Sequence, residues 1–181
     1  MKIILSILLF CSILLADRDG GPYIGLGYGM SEYVDDDIFQ EIKKDDSETM
    51  IFYVGAYINK NFSVELSKVE FNSGNSYEAV NCSSVDTSLT FSSLNVSTLA
   101  HYAFFEDSLD FYAKFGVGEM SASGVGSPGF TMIYGAGVAY RISDEISVKA
   151  AYDNYVIDYQ EGTTERTMNI KLIFTAIEYQ F

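Results

Sequence analysis

Strict alternation of apolar residues with polar or small ones recurs in eight separate segments of this chain, and this feature most limits the possible folds. In the fifth segment, Leu109, Phe111 and Phe115 share one parity, whereas Asp110 and Lys114 share the other. A period of two residues indicates a β-strand with two different faces. The segments predicted as strands are residues 22–33, 49–59, 62–71, 88–104, 109–120, 130–142, 146–157 and 167–181.

The predicted connections between these segments differ in length in a regular way. Short ones at residues 59–61, 105–108 and 143–145 alternate with long ones at residues 34–48, 72–87, 121–129 and 158–166. Barrels that span bacterial outer membranes have short turns on one side of the membrane and longer loops on the other. The pattern therefore predicts an all-β fold: an eight-stranded antiparallel up-and-down transmembrane β-barrel.

The first sixteen residues have the layout of a secretory signal peptide. Lys2 supplies a positive charge, residues 3–15 are almost entirely apolar, and Ala16 precedes a polar stretch that begins at Asp17. The apolar run is shorter than the roughly 20 residues of a membrane-spanning helix. We therefore expect a cleavable signal peptide at residues 1–16 and one barrel domain at residues 17–181. An uncleaved membrane anchor is the alternative.

The last predicted strand ends on an aromatic residue. Counting back from Phe181, the residues Tyr179, Ile177 and Ile173 share its parity. Together with the signal peptide, this strand resembles the C-terminal signature of bacterial outer-membrane barrels, and the mature chain resembles the OmpA/OmpX-like and opacity-protein (porin-family) group of eight-stranded barrels. The resemblance implies that Tyr179 and Phe181 are recognised by the outer-membrane assembly machinery. It also implies location in the outer membrane, with both termini in the periplasm and the long loops outside.

The two parities of the strands predict two different surfaces. The parity rich in Val, Leu, Ile and Phe would contact lipid, and closure of the sheet would satisfy the backbone hydrogen bonds there. The lumen of an eight-stranded barrel is filled by side chains, and isolated buried charges are costly. We therefore predict that Lys114 and Lys149 face the lumen and pair with acids, the partners depending on the shear of the barrel. The predicted lumenal charge network comprises Glu65, Asp110, Lys114, Arg141, Lys149, Asp153 and Glu178.

Charge and cysteine content exclude several other classes of protein. The chain has a formal net charge of −14, which argues against nucleic acid as a partner because phosphate binding needs a basic surface. Cys82 is the only cysteine after residue 16, so no intrachain disulfide is expected. Acidic residues are frequent in the predicted long connections, where cations or basic partners could bind. Solvated loop charge is the simpler interpretation of these acids.

The sequence predicts no catalytic, cofactor-binding or metal-binding residues. The series Gly25, Gly27 and Gly29 lacks the strand and helix context of a dinucleotide-binding loop. His101 is the only histidine, too few for a usual zinc site. The pattern also places no obvious serine beside His101 for nucleophilic catalysis.

The expected function is a structural or surface-interaction role in the outer membrane, with acidic loops displayed outside. The expected surroundings are outer-membrane lipid and lipopolysaccharide, and the expected state is a monomer. A small nonspecific pore or channel is the alternative, against which the crowded charged lumen argues. A lipid A-modifying outer-membrane enzyme is a third hypothesis. A soluble lipocalin-like barrel, the fourth, would carry apolar residues inside and polar ones outside.

Overall fold

Eight antiparallel strands, joined in sequence order, close into a barrel. The computed structural model describes residues 20–35, 46–72, 91–105, 108–122, 129–161 and 164–181. The strands are β1 Gly21–Asp35, β2 Asp46–Asn59, β3 Phe62–Asn72, β4 Phe91–Phe104, β5 Leu109–Ala122, β6 Gly129–Arg141, β7 Ile146–Glu161 and β8 Thr164–Gln180. The predicted eight-stranded up-and-down barrel is confirmed, whereas the predicted signal peptide lies outside the described residues. Within the described part of the chain, no helix is long and apolar enough to cross a membrane.

The two ends of the barrel differ in their connections. We call the end at which β2 is followed by β3, β4 by β5 and β6 by β7 the turn end, and the opposite end the loop end. Side chains stabilise two of the turns at the turn end: Asn59 Oδ1 accepts a hydrogen bond from the Asn61 N–H at 2.8 Å, and Ser143 Oγ accepts one from the Ile146 N–H at 3.1 Å. β1 starts and β8 ends at the turn end, where the Phe181 N–H donates to the Pro22 carbonyl at 3.0 Å.

The prediction of a long connection at residues 158–166 is wrong. β7 runs to Glu161 and β8 begins at Thr164, and these two residues are the last pair of a continuous ladder. The segment carries polar residues on both parities, so it lacks the alternation that marks strands between lipid and a packed lumen. The other three predicted long connections lie largely outside the described residues.

The strands are staggered by a shear of ten residues. Stepping from Tyr23 to its register partner on each successive strand leads back to β1 at Tyr33, ten residues further along. The steps pass through Gly55, Glu65, Ser97, Gly116, Ile133, Tyr155 and Ile170. The strands of such a barrel tilt by about 40° from its axis. This stagger decides which inward-facing charges meet.

The outward-facing parity forms an apolar surface around the barrel. Its exposed large side chains include Leu26, Phe52, Leu66, Val96, Phe115, Tyr134, Val148 and Ile173. Aromatic rings pack against one another near the turn end, with centroids 5.6 Å apart for Phe104 and Phe111 and 5.1 Å apart for Tyr179 and Phe181. A continuous apolar exterior fits a barrel in lipid and is unlike the polar exterior of a lipocalin-like barrel.

Candidate functional site

The inward-facing side chains divide the lumen into two halves with different chemistry. The half next to the turn end, the turn half, contains the predicted charge network together with several tyrosines. The half next to the loop end, the loop half, is apolar apart from small neutral side chains such as Ser31, Ser47 and Thr49, which bond to one another. Its fully buried residues include Ile51, Val69, Phe71, Ile133, Tyr155, Ile170 and Leu172. The sequence analysis missed this apolar half because it assigned apolar side chains to the lipid-facing parity.

Lys114 on β5 lies between two carboxylates from other strands. Its Nζ is 3.0 Å from Glu65 Oε1 on β3 and 2.9 Å from Asp153 Oδ2 on β7. All three side chains are almost inaccessible, with exposed fractions of 3%, 4% and 0%. One ammonium thus compensates two buried carboxylates. Removal of such a partner from a buried ion cluster is strongly destabilising.

Lys149 on β7 occupies a cage of aromatic rings. Its ammonium pairs with the Glu178 carboxylate. The same nitrogen lies 4.9, 5.0 and 5.3 Å from the ring centroids of Tyr23, Tyr53 and Tyr112. These distances are within the range of cation–π attraction, which is worth about 2 kcal/mol at desolvated sites. The rings therefore replace part of the hydration that the ammonium loses.

Two glycines make room for the rings of this cage. A Cβ atom at Gly25 would lie 2.1 Å from Tyr53 Cζ, and one at Gly55 would lie 2.2 Å from Tyr23 Cζ. Both separations are far shorter than van der Waals contact, so any larger residue would displace a tyrosine. The alternation of small and large inward residues is thus a requirement of packing in a narrow lumen.

His101 connects an aspartate and a serine near the turn end. Its Nδ1 is 2.7 Å from Asp110 Oδ2, and its Nε2 is 2.9 Å from Ser63 Oγ. The expectation that no serine lies beside His101 is therefore wrong. Ser63 is on the neighbouring strand β3, and only the strand register places it there.

The order Ser63, His101, Asp110 resembles the triad of a serine hydrolase. A nucleophile must reach its substrate, but Ser63 has an exposed fraction of 0%. The rings of Tyr57 and Tyr112 also flank the imidazole, at centroid distances of 5.1 and 5.8 Å. The arrangement consequently supports a hydrogen-bonding role for Ser63 and gives no support for hydrolysis.

The hydrogen-bonded groups continue from Ser63 into the middle of the lumen. Ser63 Oγ lies 3.2 Å from the Tyr23 hydroxyl, and that hydroxyl is 3.5 Å from Glu65 Oε2, the longest of these contacts. Glu65 in turn contacts Lys114. A path of polar contacts therefore joins His101 to the central ion cluster.

The remaining predicted residues lie at the ends of this network. Asp110 and Arg141 are half-buried and, with Tyr57 and Glu178, help to line a cavity of about 20 Å³ at the turn end. Such a volume is about the space of one water molecule. The predicted assembly residues Tyr179 and Phe181 are exposed on the outside, by 38% and 69%. Among the described residues, no three His, Cys, Asp or Glu side chains come together as metal ligands.

The sequence profile of the outer membrane protein β-barrel domain family matches residues 3–181. The chain belongs to this family. No curated protein sequence matches it. Among solved structures, it is similar to Neisserial surface protein A (NspA), with a TM-score of 0.63, 12% identity and coverage of 90% of this chain and 99% of that one.

Two further structures share this architecture. The N-terminal β-barrel domain of OprF from Pseudomonas aeruginosa has a TM-score of 0.58 and 13% identity, with 88% of this chain and 97% of that one covered. Ail, the attachment invasion locus protein of Yersinia pestis, solved with the heparin analogue sucrose octasulfate, has a TM-score of 0.57 and 16% identity, with 90% and 99% covered. At these identities the likeness concerns the fold alone.

Proposed function

We propose that the protein is a membrane-embedded scaffold that presents its loop end at the cell surface for interaction, and that it neither conducts solutes nor catalyses a reaction. The filling of the lumen carries this proposal. Ion pairs and tyrosines fill the turn half, and buried side chains such as Phe71, Tyr155 and Leu172 fill the loop half. The part of the barrel left to contact partners is then the loop end.

Electrical recording from purified protein tests the filled lumen against the pore alternative. Protein reconstituted in planar bilayers is expected to give no discrete conductance steps above the lipid background. The lumen of an eight-stranded barrel is about wide enough for its side chains to fill, and buried side chains occupy it here, which leaves no room for a water column. Reproducible single-channel openings would favour the small pore and overturn the scaffold proposal.

The proposal includes an orientation, with the turn end in the periplasm and the loop end outside. Cys82 provides a natural reporter, because it lies in the sequence between β3 and β4, outside the described residues. A membrane-impermeant maleimide is expected to label Cys82 on intact cells. The matched control is Asn61→Cys in a Cys82→Ser background, which is expected to react only after permeabilisation. The reverse labelling pattern would contradict this orientation and place the turn end outside the cell.

Acidic side chains at the loop end suggest the chemistry of a partner. Glu48 and Glu119 are exposed near this end, whereas the exposed Glu32 and Glu70 pair with Lys171 at 3.9 Å and with Lys68 at 2.6 Å. We infer that the loop end favours cations or basic partners, and disfavours a polyanion of the kind solved with Ail. Binding of a lysine-rich peptide to cells expressing the protein is expected to weaken with salt. Salt-independent binding would contradict an electrostatic origin.

The proposal also assigns the terminal aromatic residues to assembly. Tyr179 near the end of β8 and Phe181 just after it are exposed on the outside of the barrel, and their rings contact each other. Deletion of Phe181 is expected to lower the outer-membrane yield of folded barrel, measured by heat-modifiable gel mobility of membrane fractions. Glu48→Gln at the loop end is the control and is expected to leave the yield unchanged. Equal yields for the Phe181 deletion and Glu48→Gln would contradict a role of the terminal aromatic residues in assembly.

A further inference from the structure

Five side chains form a continuous series of hydrogen-bond contacts from the turn end into the lumen. We call Asp110, His101, Ser63, Tyr23 and Glu65 the lumenal relay. The successive donor–acceptor distances are 2.7, 2.9, 3.2 and 3.5 Å. Asp110 lines the turn-end cavity, whereas Glu65 is 4% exposed and contacts Lys114. The relay therefore links the solvent-facing mouth to the central ion cluster.

Counting protons shows that the relay has two arrangements. The hydroxyls of Ser63 and Tyr23 carry one proton each. If His101 is neutral and its Nδ1–H donates to Asp110, Nε2 accepts the Ser63 proton. Ser63 Oγ then accepts a hydrogen bond from the Tyr23 hydroxyl, and no hydroxyl of the relay donates to Glu65, which keeps only its contact with Lys114.

Protonation of His101 reverses this order. The imidazolium donates from Nδ1 to Asp110 and from Nε2 to Ser63, which frees the Ser63 proton for the Tyr23 oxygen. The Tyr23 hydroxyl can then donate to Glu65. One proton added at the mouth thus changes the hydrogen bonding of a carboxylate deep in the lumen.

We propose that the lumenal relay is a pH-operated switch, in which protonation of His101 from the turn end turns the Tyr23 hydroxyl from Ser63 toward Glu65. Histidine is the side chain that normally changes charge between about pH 5 and pH 8. The switch alters the surroundings of the Glu65 and Lys114 pair while the backbone of the barrel stays in place. It lies inside the lumen and does not depend on the proposed surface role.

The charge balance of the lumen is consistent with an imidazolium. The predicted network contains four acids, Glu65, Asp110, Asp153 and Glu178, and three bases, Lys114, Arg141 and Lys149. A charged His101 makes the two signs equal. A buried network tolerates ions best when each has a partner of opposite sign.

Several other polar groups surround His101, and one of them supplies a control. The titratable and charged groups that face this region are Tyr23 from β1, Tyr57 from β2, Glu65 from β3, Asp110 and Tyr112 from β5, Arg141 from β6, Asp144 and Glu145 from the turn after β6, Lys149 from β7 and Glu178 from β8. The Tyr57 ring packs on the imidazole, but its hydroxyl donates to Glu178 at 3.4 Å. Tyr57 thus touches His101 without belonging to the relay.

NMR spectroscopy of the full barrel in lipid nanodiscs tests the switch. His101 is the only histidine of the chain, so its ring signals need no assignment when the protein carries no histidine tag. The Cζ signal of Tyr23, assigned by Tyr23→Phe, and the carboxyl signal of Glu65 are expected to change over the same pH interval as the His101 ring. Absence of this joint response would overturn the switch.

Ser63→Ala decides whether the response travels through the relay. It removes the one hydroxyl that joins His101 to Tyr23, so the Tyr23 and Glu65 signals are expected to lose their pH response while the His101 ring still titrates. Tyr57→Phe is the control and is expected to retain the response. If the Tyr23 and Glu65 signals still responded to pH in Ser63→Ala, the response would come from the electric field of the His101 charge through space, and the relay would be overturned. Covalent labelling of Ser63 by a fluorophosphonate would equally overturn it, in favour of a nucleophilic serine.

Discussion

The two halves of the lumen fill the same narrow space by different means. In the turn half, Lys114 and Lys149 each require particular carboxylates, and Lys149 also requires its tyrosine cage. In the loop half, residues such as Phe71 and Leu172 are buried without ion pairs of their own. Buried ions depend on the identity of their partners, whereas apolar side chains depend mainly on volume. The turn half should therefore be sensitive to chemistry and the loop half to size.

Lys114→Met should produce the largest effect. The substitution nearly conserves volume but leaves Glu65 and Asp153 buried without their shared cation. Breaking a buried ion pair costs about 3–5 kcal/mol. The free energy of unfolding, measured by urea titration in lipid vesicles, is expected to fall by that amount. Lys60→Met in an exposed turn is the control, with a change within about 0.5 kcal/mol.

Gly25→Ala should come next, because it tests packing within the turn half. The added methyl would overlap the Tyr53 ring, whose Cζ lies 2.1 Å from the Cβ position. Overpacking of this kind typically costs about 1–3 kcal/mol. Tyr53→Leu in the Gly25→Ala background is expected to recover part of the loss in the same titration. An unchanged Gly25→Ala barrel would show that the tyrosine cage is loose.

Leu172→Met is the matched partner of Lys114→Met in the loop half. Both changes introduce methionine at a buried lumenal position, but replacing the apolar Leu172 leaves no buried charge without its partner. Such an apolar exchange usually costs less than about 1.5 kcal/mol. If the free energy of unfolding fell as much as in Lys114→Met in the same vesicles, the proposed difference between the two halves would be contradicted.

The lumenal residues show why the sequence revealed the architecture but not which charged side chains pair. Inward parity follows from alternation, so Lys114, Lys149, Glu65, Asp153 and Glu178 were all predicted to face the lumen. Their pairing depends on a shear of ten residues, which arises from the register of all eight strand pairs together. The alternation within one strand carries no information about the shear of the whole barrel.

The predictions for the surroundings of His101 and for a long connection at residues 158–166 were wrong for related reasons. Ser63 is 38 positions from His101 in sequence, and only the pairing of β3 with β4 brings them together. The extension of β7 and β8 was missed because both parities there are polar. In each case the deciding interaction is between strands, while sequence periodicity reports on one strand at a time.

Simultaneous replacement of the central ions should produce the smallest effect. In the triple variant Glu65→Met, Lys114→Met and Asp153→Leu, no buried charge of this cluster is left without a partner. Apolar replacement of a whole buried ion cluster is often neutral, because the desolvation cost of the ions disappears together with their attraction. The unfolding free energy is therefore expected to return to within about 1 kcal/mol of the original protein. Recovery would mean that the loss in Lys114→Met comes from stranded carboxylates and that the ions are not required to fill the lumen. If the triple variant were as unstable as Lys114→Met, the turn half would need its ions for packing, and the contrast between the two halves would be one of structure as well as chemistry.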